Sequence, residues 1–220
     1  MCEIMKDVLS KFCNKCWGFQ MFGDSSLTLR MTLTQKSSKS KCHSEQSEES
    51  QTPTFAKELL SKTEELKEKL FSLLCKNNLK ISTAESCTGG MIGASITSIP
   101  GISAYYECGF VTYSNEAKQK LIGVNKETLD EFGAVSAQTV LEMAQGALEK
   151  SGADIAVSVS GIAGPGGGTA EKPVGLVYIG CASEGKNLFE KYIFKGNREE
   201  VRQQTVNSAL EMIIKRIENK

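Results

Sequence analysis

The chain has 220 residues, which is enough for one domain with a full hydrophobic core and a tail. Its 26 basic and 26 acidic side chains cancel, so the composition gives no general attraction to nucleic acid or to an anionic membrane. No apolar run approaches the roughly 20 residues of a membrane span, and the first residues lack the basic and apolar regions of a secretory signal.

Residues 1–54 differ in composition from the rest of the chain. Residues 36–53 are mostly Ser, Lys, Glu and Gln, and such a segment cannot bury enough apolar surface to offset the entropy of ordering it. We therefore predict a poorly ordered, low-complexity N-terminal extension and one domain at 55–220. A zinc knuckle is the less favoured alternative, because no second Cys-x-x-Cys follows the first. Its ligands would be Cys13, Cys16, Cys42 and His43.

The first half of the domain has the pattern of helix, strand, turn and helix. Leucines recur at helical spacing over residues 55–76, and residues 79–84 are apolar and β-like. A polar turn with two glycines leads to a short helical run at 91–97. Residues 104–113 are aromatic and β-branched, which predicts a second strand.

The second half continues the alternation of strands and helices. Helices are predicted at 116–121, 126–132, 137–151 and from Asn197 onward, and strands at 155–160, 174–182 and 188–194. The last two strands flank Gly185, as the strands of a hairpin would. Strands alternating with helices, together with one hairpin, predict a layered α/β domain with a mixed sheet.

The turn after the first strand holds three possible nucleophiles in a row, Ser86, Cys87 and Thr88. A strand–turn–helix junction can present a hydroxyl or thiol together with free backbone N–H groups. The plain alternative is a strand that ends in a Ser/Thr-capped helix. The only histidine, His43, lies in the polar extension, so a Ser–His–Asp device inside the domain is excluded.

A nucleophile in this domain therefore needs a lysine, a carboxylate or a helix N-terminus to activate it. Lys118 lies one turn into a short helix beyond a polar strand end, and partial burial would lower its pKa and make it a base. An exposed, permanently charged helix lysine is the alternative. Ser86 ranks ahead of Cys87 as the nucleophile, since no histidine lies nearby to activate a thiol.

Two further features suit an anionic ligand. The glycine-rich stretch 161–168 directly follows a strand, but it has neither the P-loop nor the dinucleotide-binding spacing, and a flexible loop is the alternative. Arg198 and Arg202 lie one turn apart at the head of the last helix. They would either bind a phosphate together or face solvent beside Glu199 and Glu200.

Several long motifs occur in one order along the domain. They occupy residues 83–90, 109–118, 133–136, 158–165, 172–175 and 198–204. Together they resemble the CinA C-terminal domain family over roughly residues 57–218. The resemblance implies a three-layer α/β/α fold and a homo-oligomer, and the mechanism hypothesised below needs no cofactor or metal. Larger relatives carry a pyrophosphatase domain, which the polar residues 1–54 cannot form.

The resemblance also implies an activity and its residues. Members of this family hydrolyse the carboxamide of nicotinamide mononucleotide to give nicotinic acid mononucleotide and ammonia, in the recycling of pyridine nucleotides. Ser86 falls on the family's nucleophile and Lys118 on its assisting lysine. We expect a cytoplasmic enzyme with reduced cysteines, whose partner is a small nucleotide and neither nucleic acid nor membrane. The alternative is a non-catalytic nucleotide-binding regulatory module.

In the hypothesised mechanism, Lys118 accepts the Ser86 proton and later protonates the leaving ammonia. Backbone N–H groups of Thr88, Gly89 and Gly90 are the predicted oxyanion donors. Tyr113 and Ser114 are expected to relay protons or to position the amide. The predicted ribose phosphate site consists of Ser160, Gly161, Gly164 and Arg198. In a competing arrangement, Glu85 pairs with Lys118 and keeps the lysine charged.

Overall fold

A computed structural model describes residues 53–219. The predicted N-terminal extension, with the alternative zinc knuckle, lies outside the described residues apart from the start of the first helix. The helices are α1 Pro53–Asn77, α2 Met91–Thr97, α3 Asn115–Ile122, α4 Lys126–Phe132, α5 Ala137–Ser151 and α6 Arg198–Glu218. The strands are β1 Ile81–Glu85, β2 Tyr106–Val111, β3 Ile155–Gly161, β4 Leu176–Ser183 and β5 Lys186–Ile193.

The five strands form one mixed sheet in the order β2-β1-β3-β4-β5. Strand β1 is parallel to both β2 and β3, whereas β4 runs antiparallel to β3 and pairs with β5 as a hairpin. The predicted hairpin and mixed sheet are therefore confirmed. Strand β2 is shorter than expected, because Ile102–Ala104 forms a short 3-10 turn and Ser114 caps α3.

Helices cover both faces of the sheet, so the three-layer α/β/α architecture is confirmed. Strand β3 shows the alternation that produces the layers: Val157 and Val159 join the core beneath α1, α2 and α6, while Ala156 joins the core beneath α3, α4 and α5. On that second face, Ser158 Oγ donates to the Val140 carbonyl of α5 at 2.5 Å. Small residues on the strands thus let α5 approach the sheet closely.

The three parallel strands end at one edge of the sheet, and this edge positions the candidate site. Glu85, the last residue of β1, is in register with Val111 at the end of β2 and with Val159 near the end of β3. The loops that follow these strands must therefore meet. In open α/β sheets, ligands bind at the carboxyl ends of parallel strands.

Replacing Gly146 by alanine is expected to destabilise the fold, although alanine usually stabilises a helix interior by about 1 kcal/mol over glycine. A Cβ at Gly146 in α5 would lie 1.8 Å from the Ile122 carbonyl oxygen, so α3 and α5 must separate. We expect a loss of about 1–3 kcal/mol in the free energy of unfolding, measured by urea denaturation. Gly166→Ala is the control, since a Cβ there meets no atom within 4 Å. Equal stability of the two variants would contradict the predicted clash.

Candidate active site

Ser86 continues β1 to the carboxyl edge of the sheet. Its backbone N–H donates to the Val159 carbonyl at 3.1 Å, and its own carbonyl accepts from the Gly89 N–H at 3.1 Å. The chain then turns through two glycines with φ of 61° and 100°, values that L side chains rarely adopt. The Ser86 side chain is thereby held at the start of a tight turn, as the sequence predicts.

Lys118 reaches Ser86 from the other side of the edge. The Ser114 hydroxyl accepts from the Ala117 N–H at 3.0 Å and caps α3, which places Lys118 one turn into the helix. Lys118 Nζ donates to Ser86 Oγ at 3.1 Å and to the Thr112 carbonyl at 2.8 Å. Only 1% of Lys118 is exposed, so the alternative of a solvent-facing lysine is wrong.

Burial changes the proton affinity of this lysine. Desolvation lowers the pKa of Lys118 to about 8, and the neighbouring Cys87 opposes the shift only in part. Roughly a tenth of the amines would then be neutral at pH 7, a far larger fraction than for an ordinary lysine. A neutral amine 3.1 Å from a serine hydroxyl can accept its proton.

Residues 86–90 form the turn that begins at the predicted nucleophile Ser86, called here the nucleophile turn. Glu85 is hydrogen-bonded to this turn and does not pair with Lys118. Its buried carboxylate accepts four hydrogen bonds from that turn and from the start of α2. The donors are the Thr88 hydroxyl at 2.6 Å and the N–H groups of Gly90 at 2.9 Å, Ile92 at 3.1 Å and Gly93 at 2.8 Å. The competing arrangement, in which Glu85 keeps the lysine charged, is therefore wrong.

The turn offers fewer free N–H groups than the sequence suggests. Gly89 N–H donates to the Ser86 carbonyl at 3.1 Å, and Gly90 N–H donates to Glu85 at 2.9 Å, so both are already engaged. Within residues 53–219, the backbone N–H groups of Cys87 and Thr88 donate to no other residue. Of these two residues, Cys87 lines the cavity beside Ser86.

A cavity of about 190 Å³ lies between the three strand ends. Six of the predicted site residues line it: Ser86, Tyr113, Lys118, Ser160, Gly161 and Arg198. The other wall is apolar and comes from Ala134, Val135 and Ala163, whose role was not predicted. The only sequence signals for that wall were the short motifs at 133–136 and 158–165.

Ser114 and Gly164 support this cavity from outside it, whereas Ser160 and Tyr113 are part of its lining. Ser114 caps α3, and the Gly164 carbonyl accepts from Arg198 Nη1 at 2.8 Å. The Ser160 hydroxyl donates to the Ala134 carbonyl at 2.7 Å, so its proton is engaged within the protein. Tyr113 is 64% exposed at the mouth, where its ring is free to meet a ligand.

The two arginines of α6 have separate positions. Arg198 lines the cavity, whereas Arg202 Nη2 donates to the Thr88 carbonyl at 2.5 Å beneath the nucleophile turn. The alternative in which both arginines bind one phosphate is therefore wrong, and of the two only Arg198 lines the cavity.

Residues 53–219 contain neither a cluster of side chains suited to a metal ion nor a helix suited to a membrane. Across residues 53–219, no group of three or more His, Cys, Asp or Glu side chains is placed to hold a metal ion. In the same range, no helix is both long enough and apolar enough to cross a membrane.

The fold and the site together define a class: a three-layer α/β/α protein with a buried serine–lysine pair at the carboxyl edge of its sheet. A sequence profile of the CinA C-terminal domain matches residues 63–217. The chain therefore belongs to the CinA C-terminal domain family, as the motif resemblance predicts.

Named relatives and solved structures agree with this assignment. A CinA-like protein of Endomicrobium trichonymphae is 55% identical over 145 residues, which are 66% of this chain and 34% of that protein. A putative competence-damage inducible protein of Clostridium tetani is 54% identical over 144 residues, 66% of this chain and 35% of its own length. The chain thus spans about a third of the length of these relatives.

The matches to solved structures cover nearly the full length of those solved chains. The crystal structure of competence/damage inducible protein CihA from Agrobacterium tumefaciens has a TM-score of 0.69 and 50% identity, over 70% of this chain and 94% of that one. A CinA superfamily protein from Klebsiella pneumoniae has a TM-score of 0.70 and 36% identity, over 72% of this chain and 99% of that one.

Proposed function

We propose that this protein is an amidohydrolase that converts nicotinamide mononucleotide to nicotinic acid mononucleotide and ammonia. The observation that carries the proposal is the contact of 3.1 Å between Lys118 Nζ and Ser86 Oγ, inside a cavity at the strand ends. The lowered pKa of Lys118, about 8, makes the amine a usable base near neutral pH. The substrate comes from the family resemblance, and the serine–lysine pair supports the reaction class.

The reaction begins with attack of Ser86 Oγ on the carboxamide carbon, while Lys118 Nζ accepts the hydroxyl proton. The carbonyl electrons move to the oxygen and form a tetrahedral oxyanion. Lys118 then gives its proton to the amide nitrogen, the C–N bond breaks, and ammonia leaves. Water hydrolyses the acyl-serine with the same lysine as base, which regenerates both groups.

The size of the cavity suggests how the nucleotide is oriented. A volume of about 190 Å³ is below the ~300–1,000 Å³ of pockets that enclose a whole ligand. We therefore place the carboxamide and the pyridine ring inside, against Ala134, Val135 and Ala163. The ribose phosphate then extends through the mouth past Tyr113 toward Arg198, the cation that lines this cavity beside Lys118.

The direct test is ammonia release from nicotinamide mononucleotide by the purified full chain. The expected result is stoichiometric ammonia and nicotinic acid mononucleotide, the latter identified by its mass. Titration of the same nucleotide by calorimetry distinguishes the proposed amidohydrolase from a non-catalytic nucleotide-binding module. Binding without ammonia would indicate the non-catalytic module, and neither binding nor ammonia would exclude this substrate.

The pH profile gives a second test of the lysine. Because the neutral amine is the active form, kcat/KM should rise about tenfold per pH unit below the Lys118 pKa of about 8 and become constant above it. Rates should be compared above pH 7, where the substrate phosphate, with a second pKa of about 6, is fully ionised. A profile that is flat from pH 7 to 9 would contradict the role of Lys118 as base.

A further inference from the structure

The nucleophile turn accepts a hydrogen bond from Arg202, a cation that does not line the cavity. Arg202, on α6, places Nη2 2.5 Å from the Thr88 carbonyl oxygen. A Cβ added at Gly89 would lie only 3.6 Å from the same nitrogen, so the guanidinium packs against the turn. Arg202 is therefore separate from the proposed phosphate site at Arg198.

The Thr88 carbonyl is the first member of a chain of polarised peptide groups. That carbonyl shares its peptide with the Gly89 N–H, which donates to the Ser86 carbonyl at 3.1 Å. The Ser86 carbonyl shares its peptide with the Cys87 N–H. Within residues 53–219, this last N–H donates to no other residue, and Cys87 lines the cavity beside the nucleophile.

Each link of this chain points in the same direction. A cation at a carbonyl oxygen draws electron density toward that oxygen and makes the N–H of the same peptide a stronger donor. Successive hydrogen bonds polarise one another, by about 10–30% per bond. The positive charge of Arg202 thus polarises two successive peptide groups. The second of these contains the Cys87 N–H, which directly follows Ser86.

We propose that Arg202 is a positioning residue for the oxyanion site, orienting and polarising the Cys87 N–H through the Thr88–Gly89 and Ser86–Cys87 peptides. This inference rests on the proposed acyl transfer at Ser86, in which the carboxamide oxygen becomes an anion. The Cys87 N–H then replaces those of Gly89 and Gly90, which are engaged within the turn, as the principal donor. Glu85 holds the same turn by accepting from the Thr88 hydroxyl and the Gly90 N–H.

Two further observations agree with this role. Burial raises the pKa of the Cys87 thiol to about 11, while the residue's own backbone N–H and, less strongly, the positive charge of Arg202 oppose the rise. The charge of Arg202 therefore acts at the residue after Ser86. The Arg202 Nε is buried and has no hydrogen-bond partner within the described residues. Buried unpaired donors are rare, and here the guanidinium is aligned on Thr88 instead of satisfying its own Nε.

The test compares three variants of the full chain: Arg202→Met, Arg202→Gln and Arg202→Lys. Loss of one oxyanion donor lowers kcat by about 10²–10³, so weakening a donor should cost less. For ammonia release from nicotinamide mononucleotide, we expect kcat of the Met and Gln variants to fall about 10–100-fold, with KM changed less than threefold. The Lys variant, which keeps a charge and a donor, should recover at least about tenfold of the lost kcat.

A matched control removes a cation elsewhere on α6. Lys215→Met deletes a charge from an exposed lysine near Glu190, so kcat and KM should both be unchanged. If the Met variant fails to fold by circular dichroism, the comparison of Gln with Lys decides the matter. Equal kcat in these two variants, or in the Met variant and the parent, would overturn the role of the charge. A raised KM at constant kcat would instead make Arg202 a substrate-binding residue.

A tetrahedral adduct gives a readout that a merely structural role would not change. Pyridine-3-boronic acid offers boron where the substrate has its carboxamide, and addition of Ser86 Oγ would place a boronate oxygen at the oxyanion position. Its affinity should fall in the Arg202 variants in proportion to kcat, while calorimetric affinity for the nucleotide in a Ser86→Ala background stays constant. An inactive parent would count against the proposed function, whereas an active parent with equally active Arg202 variants would refute only this inference.

Discussion

Replacing Ser86 by alanine is expected to lower kcat for ammonia release by about 10⁴-fold or more. The variant loses the atom that forms the acyl-enzyme in the proposed mechanism, and no other hydroxyl lies in hydrogen-bond contact with Lys118 in the described residues. The cavity and its apolar wall remain, so the affinity for nicotinamide mononucleotide should change little. Rates from coupled ammonia detection and affinities from calorimetry check the two halves of the prediction.

Cys87→Ala is the matched control for this substitution. The Cys87 thiol also lines the cavity, but burial raises its pKa to about 11, so it stays protonated and poorly nucleophilic at neutral pH. Its loss should leave kcat within a few-fold of the parent, because the proposed oxyanion donor is its backbone N–H. An active Ser86→Ala variant together with an inactive Cys87→Ala variant would transfer the nucleophile to the thiol.

The sequence was most informative where one local pattern determines one element. Leucines at helical spacing predicted α1, alternation of strands and helices predicted the mixed sheet, and the Asn197–Glu200 capping box located the start of α6. These features depend on nearest neighbours and on which face of an element is apolar. The order of strands in the sheet depends on long-range packing, and no local pattern specified it.

The site was predicted best for groups that the topology forces together. Ser86 follows β1 and Lys118 lies just beyond β2, and parallel pairing of these strands brings the two loops to one edge. The contact between their side chains follows from that geometry. Their distance and the burial of the lysine required the tertiary structure, since an isolated helix lysine is ordinarily exposed.

Charged partners were the least predictable part of the site. Glu85 precedes the nucleophile and looked like a partner for Lys118, but four donors of its own turn satisfy the carboxylate first. Arg198 and Arg202 share a helical face in sequence, yet one contacts the Gly164 carbonyl and the other the Thr88 carbonyl. The partners of these charged side chains are backbone groups of folded loops. The positions of such groups cannot be predicted from the order of side chains in the sequence.

Replacing Lys118 by methionine should lower kcat by about 10³–10⁴-fold, because the proposed general base and general acid are lost together. Methionine is similar in length and apolar, so it can fill the buried space without a charge. The measurement is ammonia release at saturating nucleotide, from pH 6 to 10. Residual activity should no longer rise with pH through about 8, the pKa assigned to this lysine.

Two further variants separate the base from the charge. Lys118→Arg keeps a cation that cannot be deprotonated in the assay range, so it should be as inactive as the Met variant if a neutral amine is required. Lys120→Met, at an exposed position on the same helix, should behave as the parent. An active Arg variant would show that Lys118 acts through its charge, as an electrostatic stabiliser of the oxyanion.

The same methionine variant should be more stable than the parent at neutral pH. A lysine whose folded pKa lies at about 8, below its unfolded value, destabilises the fold below pH 8, and this penalty disappears as the pH rises toward 10.5. Removing it should raise the free energy of unfolding by about 1–3 kcal/mol at pH 7, after loss of the hydrogen bonds to Ser86 and Thr112. The gain should shrink at pH 10. A variant that is more stable and nearly inactive would show that burial of Lys118 serves catalysis and lowers the stability of the fold.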